Sequence, residues 1–347
     1  MSSITLSRRR CQYPICPSHK PGWKARIVAH TPFGVRGGNR KGLRCRTCGH
    51  TWSSRRGTLY HRMRLPKSMM DRAVRMQVEG MTKAGIARTL GVSPSTVSRW
   101  IAKAADHAAR YQEEHVRVDD PVEFQVDEVK SYGAGKESRT WVEGSIEVWS
   151  RMWLASMVGR RTLRSTLVLA RSIKAACAPF WEPVLIVTDE FKYYRPTIAK
   201  TFGPLCVHVE VKNRYDRGRI TRSRKTLVHG PEWKLERARE RSEDSVKLNT
   251  SYVERLNLFT RRSISYLHRK TPAPMRNPYL LAGAVELTRC IYNFVRPHAS
   301  LKFGPVTRTP AMQAGLTKRP LTLREIFSWV PPPRSLLSPR VIDGWIP

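Results

Sequence analysis

Two sets of residues in this sequence stand in patterns that could do chemistry. The first centres on a carboxylate. The run Pro183-Val-Leu-Ile-Val-Thr-Asp-Glu-Phe191 reads as a strand buried on both faces, and it ends on Asp189. In an open α/β sheet, ligands and reactions collect beyond the carboxyl ends of the strands, so Asp189 is placed for function. The second set is thiols, Cys11-x4-Cys16 followed by Cys45-x2-Cys48. Two such pairs bring together four soft thiolates, the ligand set of tetrahedral Zn²⁺. The spacing in Cys45-Arg-Thr-Cys-Gly-His is that of a knuckle, the first pair is wider, and His19, His50 or His61 could replace one cysteine. A four-thiolate site leaves zinc no open position, so a structural or DNA-contacting zinc ribbon is expected, stapling about 60 residues too polar to fold alone.

The charge balance names the partner class. Lys and Arg number 63 against 27 Asp and Glu, a formal charge of +36, and a field of that size favours a polyanion, nucleic acid first. The basic residues are spread along the chain, not gathered on one amphipathic helix, which argues against a membrane surface. No apolar run approaches the roughly 18 residues of a spanning helix. The first ten residues carry Arg8, Arg9 and Arg10 with no apolar segment after them, unlike a signal peptide. A cytoplasmic, nucleoid-associated protein is expected. Cys177, Cys206 and Cys290 stand alone in core-like segments, so the seven cysteines read as metal ligands plus buried thiols, not disulfides.

The elements that must position these groups follow from periodicity and punctuation. Residues 65–105 read as a helix-turn-helix. Thr82 caps a helix that ends at Leu90, Gly91 makes the turn, and Ser93 caps a second helix with Pro94 at its first position. Ala84, Ile86, Ala87, Leu90, Val92, Val97 and Ile101 would form the small core. Ser95, Thr96, Ser98 and Arg99 would be left on the helix that enters a major groove. The polar stretch 107–121 reads as a linker. Residues 122–129 alternate like a strand, with Gln125, Asp127 and Val129 on one face and Phe124, Val126 and Glu128 on the other. Asp127 and Glu128 should therefore face different sites. A turn at 132–135, a hairpin over 139–158, a helix at 162–178, the strand ending at Asp189, a helix at 196–202 and a fifth strand at 206–211 complete the pattern. In residues 249–262, Glu254, Asn257 and Arg261 share one helical face, which suits either an active site or solvent.

That element order resembles the ribonuclease H-like fold of DDE transposases and integrases. Asn249-Thr-Ser-Tyr-Val-Glu-Arg-Leu-Asn-Leu-Phe-Thr-Arg-Arg262 is similar to the acid-bearing helix of insertion-sequence transposases of the IS1 type. Tyr292-Asn-Phe-Val-Arg-Pro-His298 and Thr309-Pro-Ala311 resemble the motifs that close such cores. The chain then reads as multidomain: a β zinc ribbon (1–62), an all-α helix-turn-helix (63–106), the linker, an α/β ribonuclease H-like domain with a mixed five-stranded sheet that the resemblance implies (122–316), and a Pro-rich tail beyond the resemblance (317–347). It implies that Asp127, Asp189 and Glu254 hold two Mg²⁺ or Mn²⁺ ions, and that Arg261 or Arg262 meets a DNA phosphate nearby. The implied partners are double-stranded DNA, as element ends and target, and further copies of the chain in a dimer or larger assembly.

The segment 213–247 is an insertion relative to the compact members of the family. Its Arg222, Arg224 and Lys225 read as DNA-backbone contacts, or as part of a solvated loop followed by a short charged helix. Glu243 and Asp244 stand in reserve as third acids, and His298 is expected to cap the end of the preceding helix. The alternative function is a DNA-binding regulator on an inactive scaffold.

Overall fold

The computed structural model describes residues 11–20, 22, 26–33, 40–131, 140–217, 219–242, 248–269, 271, 273–275 and 277–332. The expected turn at 132–135, the reserve acids Glu243 and Asp244, and the tail beyond 332 lie outside the described residues. The elements run β1 (Ile27–Phe33), β2 (Arg40–Cys45), β3 (Thr51–Ser53), α1 (Lys67–Val78), α2 (Lys83–Leu90), α3 (Pro94–His115), β4 (Glu123–Lys130), β5 (Trp141–Glu147) and β6 (Trp153–Gly159). They continue with α4 (Leu163–Ala175), β7 (Val184–Thr188), α5 (Tyr194–Phe202), β8 (Cys206–Asp216), β9 (Arg219–His229), α6 (Glu232–Arg241) and α7 (Ser251–Ser263). The last are α8 (Pro278–Phe294), β10 (Lys302–Phe303), β11 (Val306–Thr307), α9 (Pro310–Gln313) and α10 (Leu323–Ser328). The chain divides into two compact units, one reaching Arg72 and including the stretch from Thr322, the other Ala73–Leu321.

In the first unit, β1, β2 and β3 form an antiparallel sheet over a core of Ile27, Leu43, Trp52 and the cysteines. Within the Pro-rich tail from 317, which could dock on the chain's own core or on a second subunit or stay disordered, α10 belongs to this unit. Leu323, Ile326 and Phe327 bury one helical stripe. Arg324 pairs with Asp71, which also accepts the Tyr60 hydroxyl at 2.5 Å, and the Tyr60 and Phe327 rings meet edge-on at 6.3 Å.

The second unit opens with the helix-turn-helix, whose local chemistry follows the sequence. Thr82 accepts the Gly85 N–H at 3.2 Å, Gly91 takes the left-handed turn at φ 63°, and Ser93 accepts the Thr96 N–H at 3.3 Å. Ala73, Val74, Ile86, Ala87, Val97, Trp100 and Ile101 are buried. Ala84, expected in that core, is exposed, and the large apolar body comes instead from Trp100.

The expected linker is mostly helix, since α3 runs on to His115. The reason is tertiary. Polar residues on its outer side hide a buried inner stripe of Ala104, Ala108, Tyr111 and Gln112, which packs on α8. The Gln112 amide donates to the Glu286 carbonyl at 3.0 Å and to its carboxylate at 2.9 Å. A Cβ on Gly283 would lie 3.1 Å from the Ala105 side chain, so the glycine permits the close approach.

The sheet of this unit has six strands, not the expected five, in the order β6-β5-β4-β7-β8-β9. β4 pairs antiparallel with β5 and parallel with β7, β7 parallel with β8, and β8 antiparallel with β9. The extra strand arises from the insertion, whose first half is a hairpin and not a loop. α4 and α5 cover one face, where the Phe124 and Phe202 rings lie 6.1 Å apart. α6 covers the other face at Val207, Val209 and Val211, and α7 with α8 covers it at Val129, Val142 and Trp153.

Candidate active site and metal centres

The parallel register of β4 and β7 ends at the pair Val126↔Thr188, so Asp127 and Asp189 follow side by side at the carboxyl edge of adjacent strands. Alternation turns both toward the α7 face, the side taken by Gln125 and Val187. The third element is fixed to β4 by side chains. The Gln125 carbonyl oxygen accepts the N–H groups of Tyr252 at 3.0 Å and Val253 at 3.2 Å, satisfying two first-turn donors of α7. One turn on, Asn257 donates to Asp127 Oδ2 at 2.7 Å. Glu254 lies between these ties and accepts the Thr250 hydroxyl at 2.8 Å. Asp127, Asp189 and Glu254 thus line one open cleft of about 590 Å³ with Arg161 and Lys212.

Electrostatics in the cleft favour a cation. Burial, then the charges of Asp189 and Glu254, push the Asp127 carboxyl up to about 7 against the opposing pull of Arg161 and Asn257. Burial also raises Asp189, although its Oδ1 accepts the Phe191 N–H at 3.0 Å. The oxygens close enough to share an ion, all within 4.8 Å of one another, belong to Asp127, Asp189 and Glu128, while Glu254 stands further out.

Glu128 corrects the sequence reading, which sent it to the other side of the sheet. Past Val126 there is no β7 backbone between the two faces, so a long side chain on either face can bend around the edge. Its carboxylate accepts the Tyr194 hydroxyl at 2.8 Å and pairs with Arg161. That guanidinium lies over the Phe191 ring at 3.8 Å and the Trp141 ring at 4.6 Å, and reaches within 3.9 Å of Asp189. Sequence reasoning missed Arg161, Glu128 and Gln125. Only Gln125 carried a signal, an amide on the active face of β4.

The four cysteines do come together, and the histidines are not needed to complete the set. Cys11 and Cys48 sulfurs are 3.6 Å apart and Cys16 and Cys45 sulfurs 3.9 Å. A tetrahedron with zinc–sulfur bonds of about 2.3 Å has sulfurs about 3.8 Å apart, so the donors fit this ion. Burial raises the Cys45 thiol, but the N–H groups of Cys48 and Thr47 and the Thr47 hydroxyl outweigh it, leaving the pKa at about 7. Gly49, at φ 75°, permits the turn after the knuckle.

The expected DNA contacts fall on three surfaces of the second unit. On α3, Ser95 and Arg99 are exposed and Thr96 and Ser98 half-buried, and the Ser95 and Thr96 hydroxyls lie 3.0 and 2.9 Å from that of Ser93. Arg261 and Arg262, with His268 and Arg269, line a second open cleft of about 470 Å³. Arg222, Arg224 and Lys225 are exposed along β9. His298 bonds the Tyr292 carbonyl at 3.1 Å in the last turn of α8, as expected for a cap.

Residues 72–107 match the homeodomain-like domain family, whose second motif helix docks in the DNA major groove. This stretch is therefore a DNA-binding helix-turn-helix, carried in the same chain as the acidic cleft and the cysteine cluster. None of the curated proteins matches the chain.

Proposed function

We propose that this protein is a DDE transposase that binds the ends of a mobile DNA element and carries out metal-dependent cleavage and strand transfer on DNA. The observation that carries the reading is convergence. Acids from β4, from the end of β7 and from α7, far apart in sequence, line one cleft in a chain that also carries a DNA-binding helix-turn-helix. The strand order β6-β5-β4-β7-β8, with β4 at the hinge between antiparallel and parallel halves, supports a ribonuclease H-like core.

Asp127, Asp189 and Glu254 would hold two Mg²⁺ or Mn²⁺ ions through oxygen donors, with Glu128 a further donor within reach. When bound, such ions supply Lewis acidity that activates water or a 3′-hydroxyl and stabilises the leaving oxygen of an in-line displacement. The protein's own groups set the geometry. Asn257 fixes one oxygen of Asp127, Gln125 fixes the start of α7 and hence Glu254, and Arg161 holds a permanent positive charge where a phosphate would approach. The thiolate cluster would hold a structural Zn²⁺. Pairing two DNA ends calls for a homodimer or larger assembly.

The test is nicking of supercoiled and end-bearing DNA by the purified chain with and without Mg²⁺. Asp189→Asn and Glu254→Gln should abolish a metal-dependent cut made by the parent. Equal cutting by parent and Asp189→Asn would exclude the assignment. Specific binding with no cutting under any divalent ion would leave the regulator in its place.

A further inference from the structure

Beyond the end of β7, strands β8 and β9 continue as a two-stranded ribbon. Residues directly opposite in an antiparallel pair share a face, and so do residues two apart along a strand. The register Lys212↔Arg224 and Arg214↔Arg222 therefore puts four cations on one side of the ribbon. All four residues are exposed. Lys212 and Arg224 close on the same carboxylate, that of Glu190, at 2.5 and 2.6 Å. Among the described residues no acid is paired with Arg214 or Arg222. Glu190 follows Asp189 in the chain, and both Glu190 and Lys212 line the acidic cleft.

A face of four cations is suited to contacting a phosphate backbone rather than reading base edges. The two cations nearest the cleft are both paired with an acid that a phosphate can replace. We infer that this ribbon face grips the backbone of duplex DNA as it enters the cleft, and that Glu190 is the internal counterion the phosphates displace. The inference takes the position of the DNA from the reading above. Displacement exchanges one oxyanion for another at Lys212 and Arg224 and leaves Glu190 free beside Asp189.

The experiment titrates the full chain, its zinc site left filled, against a short labelled DNA duplex in buffer without Mg²⁺ or Mn²⁺, over a series of NaCl concentrations. Arg214→Gln with Arg222→Gln should weaken binding and lower the steepness of log K against log salt by about 2, one counterion for each lost contact. Arg171→Gln with Lys200→Gln, which removes the same charge from exposed positions on α4 and α5, should leave the steepness unchanged. Glu190→Gln should tighten binding about threefold or more, because two surface ion pairs no longer have to be broken. If the ribbon pair behaves like the α4/α5 pair, the ribbon is not a DNA surface. If Glu190→Gln binds no better than the parent, the counterion role is wrong. The assay reads no cleavage, so a chain that binds through the ribbon yet never nicks DNA would overturn the transposase and leave this inference standing.

Discussion

Replacing Asp127 by Asn should stabilise the protein free of Mg²⁺ and Mn²⁺ at alkaline pH. Burial and its acidic neighbours lift the Asp127 carboxyl from its ordinary value to about 7. A rise of about 3 pH units at about 1.4 kcal/mol each amounts to about 4 kcal/mol between the protonated and ionised forms. The open cleft lets solvent screen part of that, so about 2 kcal/mol is the working figure. The sign follows from the folded pKa lying above the unfolded one. The folded protein binds the proton more tightly, so this stabilising contribution is complete below about pH 4 and is lost as the pH rises through about 7. At pH 8 in buffer without Mg²⁺ or Mn²⁺, with the zinc site left filled, Asp127→Asn should therefore melt above the parent by several degrees, roughly 2–4 °C for each kcal/mol in a domain of this size, and the gap should close toward pH 5. Glu143, also raised to about 7 by burial, titrates in the same window, so the difference between parent and variant is the quantity to follow. Adding Mg²⁺ at pH 8 should raise the parent and barely move the variant. A variant that melts below the parent at pH 8 without Mg²⁺ or Mn²⁺ would falsify the electrostatic account of the cleft.

Three further outcomes are expected. Gln125→Leu strands the Tyr252 and Val253 donors at the start of α7 and should cost about 2–4 kcal/mol, measured by urea unfolding, with weaker Mn²⁺ binding that Gln125→Glu partly restores. Stripping the cysteine cluster with a strong chelator, or Cys45→Ser, should release zinc and unfold the first unit while the helical signal of the second persists, as seen by metal analysis and circular dichroism. Thr82→Ala removes the cap of α2 and should cost about 1 kcal/mol, and Arg99→Ala should weaken binding to the cognate DNA site far more than the cap change does.

What could be read from the sequence was local chemistry. Thr82, Gly91, Ser93 and Pro94 announce two helix ends with side chains that act on their own backbone, and the structure uses each as expected. The apolar run 184–188 likewise forms a buried strand wherever it sits. β9 had no such signature. Its exposed Arg222, Arg224 and Lys225 give no apolar face, and its place is set by backbone pairing with β8. The continuation of α3 to His115 depends on α8, more than 160 residues away in the chain, as the Gln112–Glu286 bond records. For the same reason the pairing of Glu128 with Arg161 could not be foreseen. Strand alternation gives the starting direction of a side chain, and the end of a neighbouring strand decides where it can go.

The return of α10 to the N-terminal unit has a consequence for how the molecule is made. Arg324 and Phe327, which meet Asp71 and Tyr60, leave the ribosome more than 250 residues after them. The second unit can collapse before Leu323 is made, whereas the first, whose strands are synthesised before it, waits for α10 to pack against Tyr60. A chain cut short by a premature stop or a frameshift before Leu323 would carry a finished helix-turn-helix and acidic cleft beside an unfinished cysteine module.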